Sequence, residues 1–278
     1  MLSYLHSYHA GNFADVHKHI ALLVLLRRLQ EKDKPICYVD SHAGRGIYDL
    51  CGDEARTTGE AGGGILRLQA ASDPPGPVRD YLALVASFNE GASASLYPGS
   101  AALAQAALRE QDRAILMELH PAEQAALRRF CGSDRRIAVH CRDCLEGLPA
   151  VLPPVIRRGL VLVDPSYEVK SEYGEVAELL YRALDRWPTG VFLLWYPLLA
   201  AGRHRHLLDR LADRAPPRML QSELLLDAGA AGLQGSGLIV INTPWQADRH
   251  LDDAMAFVGR ALGTAGKYKL TLAWLTPP

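Results

Sequence analysis

The sequence has few cysteines and no long apolar run, and each shortage excludes a class of protein. Five cysteines, an odd number among 278 residues, cannot form a dense disulfide framework, so we expect reduced thiols in a cytoplasmic protein. The longest apolar run of the first predicted helix covers residues 20–26, whereas a helix that spans a bilayer needs about 20 apolar residues. The first 19 residues show no signal-peptide pattern, so we predict no contact with a membrane.

An excess of charge of either sign is also missing. The 30 basic and 31 acidic residues leave a net charge of −1, which argues against a surface that is basic all round but permits a local basic face. Only six basic residues are lysine; the remaining 24 are arginine, which suits phosphate recognition but equally reflects a GC-rich genome. Two arginine-rich stretches are candidate RNA-contacting faces or, equally, ordinary solvated surfaces: Arg203, Arg205, Arg210, Arg214 and Arg218, and Arg128, Arg129, Arg135 and Arg136.

Hydrophobic residues make up 49% of the chain, enough for a sizeable core. Helical spacing of apolar residues predicts a helix over 13–31, with Asn12 as its N-cap. Short apolar strands then alternate with helical stretches such as 121–130, 171–187 and 204–211. The predicted strands are 36–40, 114–118, 137–140, 160–164, 191–196, 219–226, 237–242 and 268–275. This alternation predicts an α/β fold, a mostly parallel sheet with helices on both faces and an antiparallel edge formed by the last strands.

The interval between the first two predicted strands is too long for a simple crossover. Residues 41–112 number 72, whereas a whole strand–helix–strand unit needs only about 30. Helical patterns at 59–71 and 78–90, separated by a turn-forming segment, occupy the surplus. We therefore predict a single domain, 1–278, with a small helical subdomain inserted at 48–97. Ser100 is then expected to cap a helix over 101–109.

Acidic or glycine-rich segments follow four consecutive predicted strands, where doubly wound sheets bind ligands. They are 40–46 (DSHAGRG), 118–121 (ELHP), 142–146 (RDCLE) and 164–168 (DPSYE). The glycine loop is weak evidence by itself, and it lacks the G-x-G-x-x-G series of nicotinamide dinucleotide sites. Glu118 lies where an acid would hold the ribose of a nucleoside, although it could instead cap the next helix.

The most specific motif is Asp164-Pro165-Ser166-Tyr167. It resembles the (D/N/S)-P-P-(Y/F/W) motif of methyltransferases that act on exocyclic amino groups, chiefly adenine N6. The Asp164 carboxylate and the Pro165 carbonyl would accept both N6 hydrogens and free the nitrogen lone pair for attack. Tyr167 would stack on a base turned out of its helix. Ser166 replaces the second proline, which puts the stiffness of the turn in doubt; the alternative is an ordinary strand-ending turn.

Functional side chains also crowd into the first 19 residues, which contain four histidines. His42, further along the chain, is a fifth. A metal site is not expected, because His17 and His19 are two residues apart and face different directions on a helix. Cys141 and Cys144 form a C-x-x-C pair without a second such pair or a zinc-spaced histidine pair, so buried thiols are expected there.

These motifs together resemble one family. The opening MLSYxHSYHAGNxADVxKH, then DxHAGxG, MELHP and DPxYE, resemble the bacterial 23S ribosomal RNA adenine-N6 methyltransferases of the RlmJ family along essentially the whole chain. The resemblance implies a Rossmann-like class I methyltransferase fold and S-adenosyl-L-methionine as cofactor. It implies a cofactor and catalytic pocket that includes Lys18, His19, His42, Gly44, Ser100, Glu118, Asp143, Cys144 and Asp164, with Pro165 and Tyr167 beside them. Tyr4, His6 and Tyr167 would lie near the RNA.

The predicted function is therefore S-adenosylmethionine-dependent methylation of N6 of an adenine in 23S rRNA. The substrate would be free or partly assembled RNA, because the base must leave its stack, and the enzyme is expected to be a monomer. A DNA adenine-N6 methyltransferase is one alternative, although no separate target-recognition domain is evident. A non-catalytic RNA-binding or ribosome-assembly factor is another, although the catalytic motif is present. A nicotinamide-dependent oxidoreductase is a distant third.

Overall fold

An eight-stranded sheet forms the centre of the molecule. A computed structural model of the chain describes residues 4–89, 95–226, 232–263 and 267–278. Residues 1–3 of the N-terminal motif and Glu90 of a predicted helix lie outside the described residues. The strands are β1 Cys37–Asp40, β2 Ile47–Asp49, β3 Leu96–Pro98, β4 Arg113–Met117, β5 Ile137–His140, β6 Gly159–Val163, β7 Val191–Leu199, β8 Leu220–Leu225, β9 Leu233–Ile241 and β10 Lys269–Trp274.

The strand order of the main sheet is β10-β8-β9-β7-β6-β1-β4-β5. The five strands from β5 to β7 are parallel, while β9, β8 and β10 add antiparallel pairs at one edge. Asp40, the last residue of β1, lies opposite Leu116 of β4 and Leu162 of β6, so these strands end at one level. Both the parallel centre and the antiparallel edge are confirmed.

Helices cover both faces of the sheet, as predicted. They are α1 Phe13–Gln30, α2 Asp53–Thr58, α3 Ile65–Gln69, α4 Gly76–Ser87, α5 Ser100–Ala107, α6 Pro121–Cys131, α7 Cys144–Val151, α8 Glu172–Arg186, α9 His204–Arg214 and α10 Ala247–Leu262. Because side chains alternate along a strand, Tyr38 packs in the core with α1, α4, α5 and α10, while Val39 packs in the core with α7, α8 and α9. The α/β Rossmann-like fold is confirmed.

Helix α1 is buried on nearly all sides. The Asn12 side chain accepts a hydrogen bond from Asp15 N at 2.9 Å, which confirms Asn12 as the N-cap. The helix packs against the sheet on one side and against α4, α5 and α10 on others. Polar residues on different faces of its first turns, from Asp15 to His19, are therefore buried and need partners inside the molecule.

The predicted insertion contains more and shorter secondary-structure elements than its apolar pattern predicted. Strands β2 and β3, which no sequence pattern predicted, pair antiparallel at its ends. The predicted helix over 59–71 is broken into a 3-10 helix, Glu60–Gly63, and α3. The break lies at Gly64, where a Cβ atom would meet the carbonyl oxygen of Gly11 at 2.1 Å. The apolar side chains of α3 and α4 join the core of α1, and the division at 48–97 stays a prediction.

The predicted capping role of Ser100 is wrong. The N-cap of α5 is Gly99, and Ser100 is the first helical residue. The Ser100 hydroxyl donates instead to Oδ2 of Asp40 at 2.7 Å. The helix begins one residue earlier than predicted, and the Ser100 hydroxyl gives its proton to a buried carboxylate in a charge-assisted hydrogen bond.

Candidate active site

A cavity of about 920 Å³ lies at the carboxyl ends of the parallel strands. Its size is within the usual range for small-ligand sites. Segments after β1, β4, β5 and β6 contribute to its wall because these strands are neighbours in the sheet. The wall contains every residue predicted for the site: Tyr4, His6, Lys18, His19, His42, Gly44, Ser100, Glu118, Asp143, Cys144, Asp164, Pro165 and Tyr167. Their individual roles stay predictions.

The carboxylate of Asp164 is paired with a buried lysine. Lys18 Nζ lies 2.5 Å from Oδ2 of Asp164 and 3.0 Å from Oδ1 of Asp15. Burial disfavours the charged ammonium, but the two carboxylates more than offset this and raise the pKa of Lys18. Lys18 therefore stays protonated at neutral pH. Among the hydrogen bonds of the described residues, none uses Oδ1 of Asp164, which leaves this oxygen for a ligand.

Asp15 connects Lys18 to the N-terminal segment. Its Oδ2 atom accepts hydrogen bonds from His6 Nε2 and from Gly11 N, both at 2.9 Å. Burial would raise the pKa of Asp15, but the interactions with His6 and Lys18 outweigh it and hold the pKa well below its ordinary range. Asp15 lines the cavity but was not among the residues predicted for the site. Its position three residues before Lys18 on a helix was the available signal.

The hydrogen-bond partners of His6 indicate which of its ring nitrogens donates. A carboxylate only accepts hydrogen bonds, so the proton toward Asp15 is on Nε2 of His6. The hydroxyl of Tyr4 lies 2.8 Å from Nδ1 of His6. In the neutral imidazole Nδ1 is an acceptor, and the Tyr4 hydroxyl then donates to it. One continuous row of hydrogen bonds thus joins Tyr4, through His6, Asp15 and Lys18, to Asp164.

Two further histidines of the wall are neutral. Burial lowers the pKa of His19 to about 3 and that of His42 to about 4. His19 Nδ1 hydrogen-bonds the hydroxyl of Tyr97 at 2.8 Å, and His42 Nδ1 hydrogen-bonds the hydroxyl of Ser41 at 2.7 Å. Both rings therefore present polar but uncharged groups to the cavity at neutral pH.

Asp40 holds two wall residues in place although it does not line the cavity. It is fully buried and accepts hydrogen bonds from the Tyr38 hydroxyl, the Ser100 hydroxyl and the His42 backbone N–H, at 2.6, 2.7 and 3.1 Å. Burial raises the pKa of Asp40 to about 6, against the effect of these hydrogen bonds. Asp40 is thus a positioning residue for Ser100 and His42.

Glu118 joins the glycine loop to the start of α6. Its Oε2 atom accepts from Gly44 N at 2.9 Å and its Oε1 atom accepts from His120 N at 2.7 Å. Gly44 has φ +61°, so a side chain there would strain the turn. His120 is the N-cap residue of α6, so Glu118 also has a structural role at the start of this helix. Burial raises the pKa of Glu118.

The residues after β5 cap a helix at the edge of the cavity. Asp143 is the N-cap of α7, and its Oδ1 atom accepts from Leu145 N at 2.7 Å.

Burial raises the pKa of Cys144 to about 12, so this thiol is neutral. Cys141 is exposed, contrary to the expectation of buried thiols. No group of three or more potential ligands within the described residues could hold a metal ion.

The turn after β6 holds Tyr167 firmly. Tyr167 has φ +54°, a left-handed backbone that is uncommon for a bulky residue and is typical of functional sites. Its hydroxyl donates to the carbonyl of Trp195 at 3.0 Å, and its ring lies 4.5 Å from that of Tyr173 between centroids. The side chain is 7% exposed. Any base that stacks on Tyr167 would therefore use only the part of the ring that faces the cavity.

Several wall residues besides Asp15 were not predicted for the site, among them Glu60, Trp195 and His9. Glu60 accepts from His9 Nδ1 at 2.8 Å and from the amide of Asn12 at 2.9 Å. The indole of Trp195 also lines the cavity, and its N–H donates to the hydroxyl of Ser236 at 3.0 Å. His9 belongs to the crowded N-terminal segment, but no local pattern identified Glu60 or Trp195, which reach the cavity from distant parts of the chain.

The arginine-rich stretches do not reach the cavity wall. Several of their guanidinium groups have acidic partners: Arg210 with Glu178, Arg214 with Asp185 and Arg136 with Asp134. Such pairs are typical of solvated surfaces. A contact between RNA and either stretch stays a prediction.

In the part of the chain that is described, each helix is too short or too polar to cross a lipid bilayer.

Known proteins resemble the chain along its whole length. A family model described as ribosomal RNA large subunit methyltransferase D, RlmJ, matches residues 33–276. The chain belongs to the RlmJ family. Ribosomal RNA large subunit methyltransferase J of Escherichia coli K12 is 39% identical, and that of Haemophilus influenzae is 37% identical; each match covers 100% of both chains. The crystal structure of protein LPL1258 from Legionella pneumophila has a TM-score of 0.89 at 33% identity and covers 96% of this chain and 98% of its own.

Proposed function

We propose that this chain transfers a methyl group from S-adenosylmethionine to N6 of an adenine in 23S ribosomal RNA. Membership of the RlmJ family supports the reaction class and the RNA. The observation that supports the chemistry is the placement of Asp164 and Pro165 in the cavity wall, directly after β6, with the Asp164 carboxylate bound to buried Lys18.

The wall residues fit the cofactor. Glu118 and Asp143 lie at the ends of neighbouring strands β4 and β5, with the glycine loop beside Glu118. Carboxylates suit the ribose hydroxyls and the adenine amino group of a nucleoside, and neutral His42 and Ser100 add polar groups without repelling a cation. When bound, S-adenosylmethionine supplies an electrophilic methyl group on a sulfonium sulfur.

Asp164 and Pro165 prepare the target nitrogen. Oδ1 of Asp164 accepts one N6 hydrogen and the carbonyl of Pro165 accepts the other, so the N6 lone pair is withdrawn from the purine ring. Methylation leaves a positive charge and one surplus proton on N6. The same acceptors stabilise that charge, and Asp164 takes the proton. Lys18 holds Oδ2 of Asp164 and so fixes the direction in which Oδ1 points.

The RNA side of the site is formed by the N-terminal segment and Tyr167. Tyr4 is 37% exposed and hydrogen-bonds His6, which is anchored to buried Asp15. An aromatic ring at this opening can stack on a base that has left its helix. The substrate is free or partly assembled 23S rRNA, because assembled subunits restrict base extrusion. The protein acts as a monomer in the cytoplasm.

The test is a transfer assay with S-adenosylmethionine labelled in its methyl group. Transcribed 23S rRNA and duplex DNA of matched adenine content are the two acceptors, and nuclease digestion with mass spectrometry identifies the product. N6-methyladenosine formed from rRNA and not from DNA is the expected result. Methylation of the DNA alone would support a DNA adenine methyltransferase, and absence of both cofactor binding and transfer would support a non-catalytic RNA-binding factor. Mass spectrometry of 23S rRNA from a strain without the protein then identifies the modified adenine.

A further inference from the structure

The exposed ring of Tyr4 has a second support besides His6. The rings of Tyr4 and His9 are stacked, with 5.6 Å between centroids and an interplanar angle of 6°. His9 is itself held by Glu60, whose Oε1 atom is 2.8 Å from His9 Nδ1. Because a carboxylate only accepts, Nδ1 of His9 carries a proton, and the orientation of the ring is set by Glu60.

Glu60 is anchored on both carboxylate oxygens. Its Oε2 atom accepts from Nδ2 of Asn12 at 2.9 Å, and Asn12 is the residue that caps α1. Glu60 thus lies between the start of α1 and the ring beneath Tyr4. Between strands β2 and β3, it is the only described residue that lines the cavity. The close approach of Gly64 to Gly11 brings this part of the chain to the N-terminal segment.

Electrostatics favours the same arrangement. The hydrogen bond to Glu60 raises the pKa of His9, although burial opposes this. The groups that face His9 are the carboxylates of Glu60 and Asp15 and the phenol of Tyr4. A protonated imidazole stacked on a phenol ring gains a cation–π attraction. Pairing with Glu60 therefore strengthens the contact between His9 and Tyr4.

We propose that Glu60 is a positioning residue for RNA binding: it orients His9, which supports the ring of Tyr4 at the opening of the cavity. This gives the insertion a part in substrate recognition, and it rests on the proposed function, since Tyr4 must meet the RNA. An aromatic ring that is held before binding loses less conformational entropy when a base stacks on it. Removal of Glu60 then weakens RNA binding without weakening cofactor binding.

The experiment is a double-mutant cycle with Tyr4→Ala, Glu60→Ala and the combined variant. KM and kcat are measured on 23S rRNA, and S-adenosylhomocysteine affinity is measured by calorimetry. We expect Glu60→Ala to raise KM for RNA roughly fivefold to tenfold, to leave cofactor affinity unchanged, and to have no further effect once Tyr4 is alanine. Asp80→Ala, at an exposed position of α4, is the control for a lost carboxylate in the insertion and should match the wild type.

Two outcomes overturn the inference. One is an unchanged KM in Glu60→Ala; the other is an effect of the same size in the presence and absence of Tyr4, which indicates a general loss of structure. His9→Gln is measured in parallel, because it removes the ring under Tyr4 and leaves Glu60 in place, and the same pattern is expected. If Glu60→Ala does not fold, the KM for RNA of His9→Gln and of Glu60→Gln tests the inference instead. A wild-type chain that does not methylate rRNA overturns the proposed function itself.

Discussion

Lys18 and Asp164 are 146 positions apart in the chain, yet the ammonium nitrogen of one lies 2.5 Å from a carboxylate oxygen of the other. Asp15 is the second partner of the ammonium, so one lysine bridges two carboxylates inside the molecule. A buried charge needs such partners. The bridge therefore couples the N-terminal helix to the turn after β6.

The first prediction concerns the base-binding carboxylate. Asp164→Ala removes an acceptor for an N6 hydrogen and the base for the surplus proton, so kcat should fall by about 10²–10⁴-fold. Cofactor affinity, measured by calorimetry with S-adenosylhomocysteine, should stay within about threefold, because the residues proposed to contact the ribose and the adenine are Glu118 and Asp143. Asp252→Ala, exposed on α10, is the control. An equal loss of cofactor affinity would contradict the role of Asp164.

The second prediction concerns the RNA contact. Tyr4→Ala should raise KM for rRNA about tenfold or more, since stacking on a base contributes about 1–3 kcal/mol. Tyr4→Phe keeps the ring and loses only the hydrogen bond to His6, so it should recover most of the binding. Steady-state kinetics on rRNA at saturating cofactor measure both variants. Unchanged kinetics in Tyr4→Ala would remove this residue from the site.

The third prediction concerns the cofactor. Glu118→Ala should weaken S-adenosylhomocysteine binding by about 10–100-fold, as expected when a hydrogen bond to a charged group is lost from a partly buried site. Calorimetry measures the affinity. Glu110→Ala, an exposed carboxylate just before β4, should bind like the wild type. Wild-type affinity in Glu118→Ala would reduce this residue to its structural contacts with Gly44 and His120.

The fourth prediction concerns acid stability. Burial lowers the pKa of His17 to about 3 from an ordinary value of 6.5, while its ring bonds Ser236 and Ser222 at 2.9 and 3.0 Å. Below an ordinary histidine pKa the unfolded chain binds more protons than the folded one, so stability falls as the pH falls. His17 should contribute about 1.4 kcal/mol per pH unit below about 6.5, and His19 and His42 act with the same sign.

Urea unfolding between about pH 7.5 and 5 measures this dependence. His17→Gln removes one titrating group, so its free energy of unfolding should fall less steeply with pH by about one proton. The variant should also be less stable than the wild type at neutral pH, because its fit between the two serines is poorer. A slope equal to that of the wild type would show that burial of His17 does not drive the acid sensitivity.

Local sequence patterns were sufficient to predict most of the fold. Apolar runs such as residues 160–164 predicted buried parallel strands because both faces of such a strand are covered. The N-cap at Asn12 was also evident, because capping depends on residues within one turn of helix. The strand-end rule then predicted that Glu118, Asp143 and Asp164 share one cavity, which the structure shows.

Contacts between residues that are distant in the chain were decided only by the tertiary structure. The break at Gly64 depends on contact with Gly11, and the Ser100 hydroxyl is bonded to Asp40, so neither followed from local propensity. The bridge at Lys18 and the contact of Glu60 with His9 likewise join separate segments. Sequence by itself determined the hydrophobic period, the cap at Asn12 and the strand ends, which are short-range properties. Pairing of buried charges is a long-range requirement, because it is imposed only when the packed core excludes water.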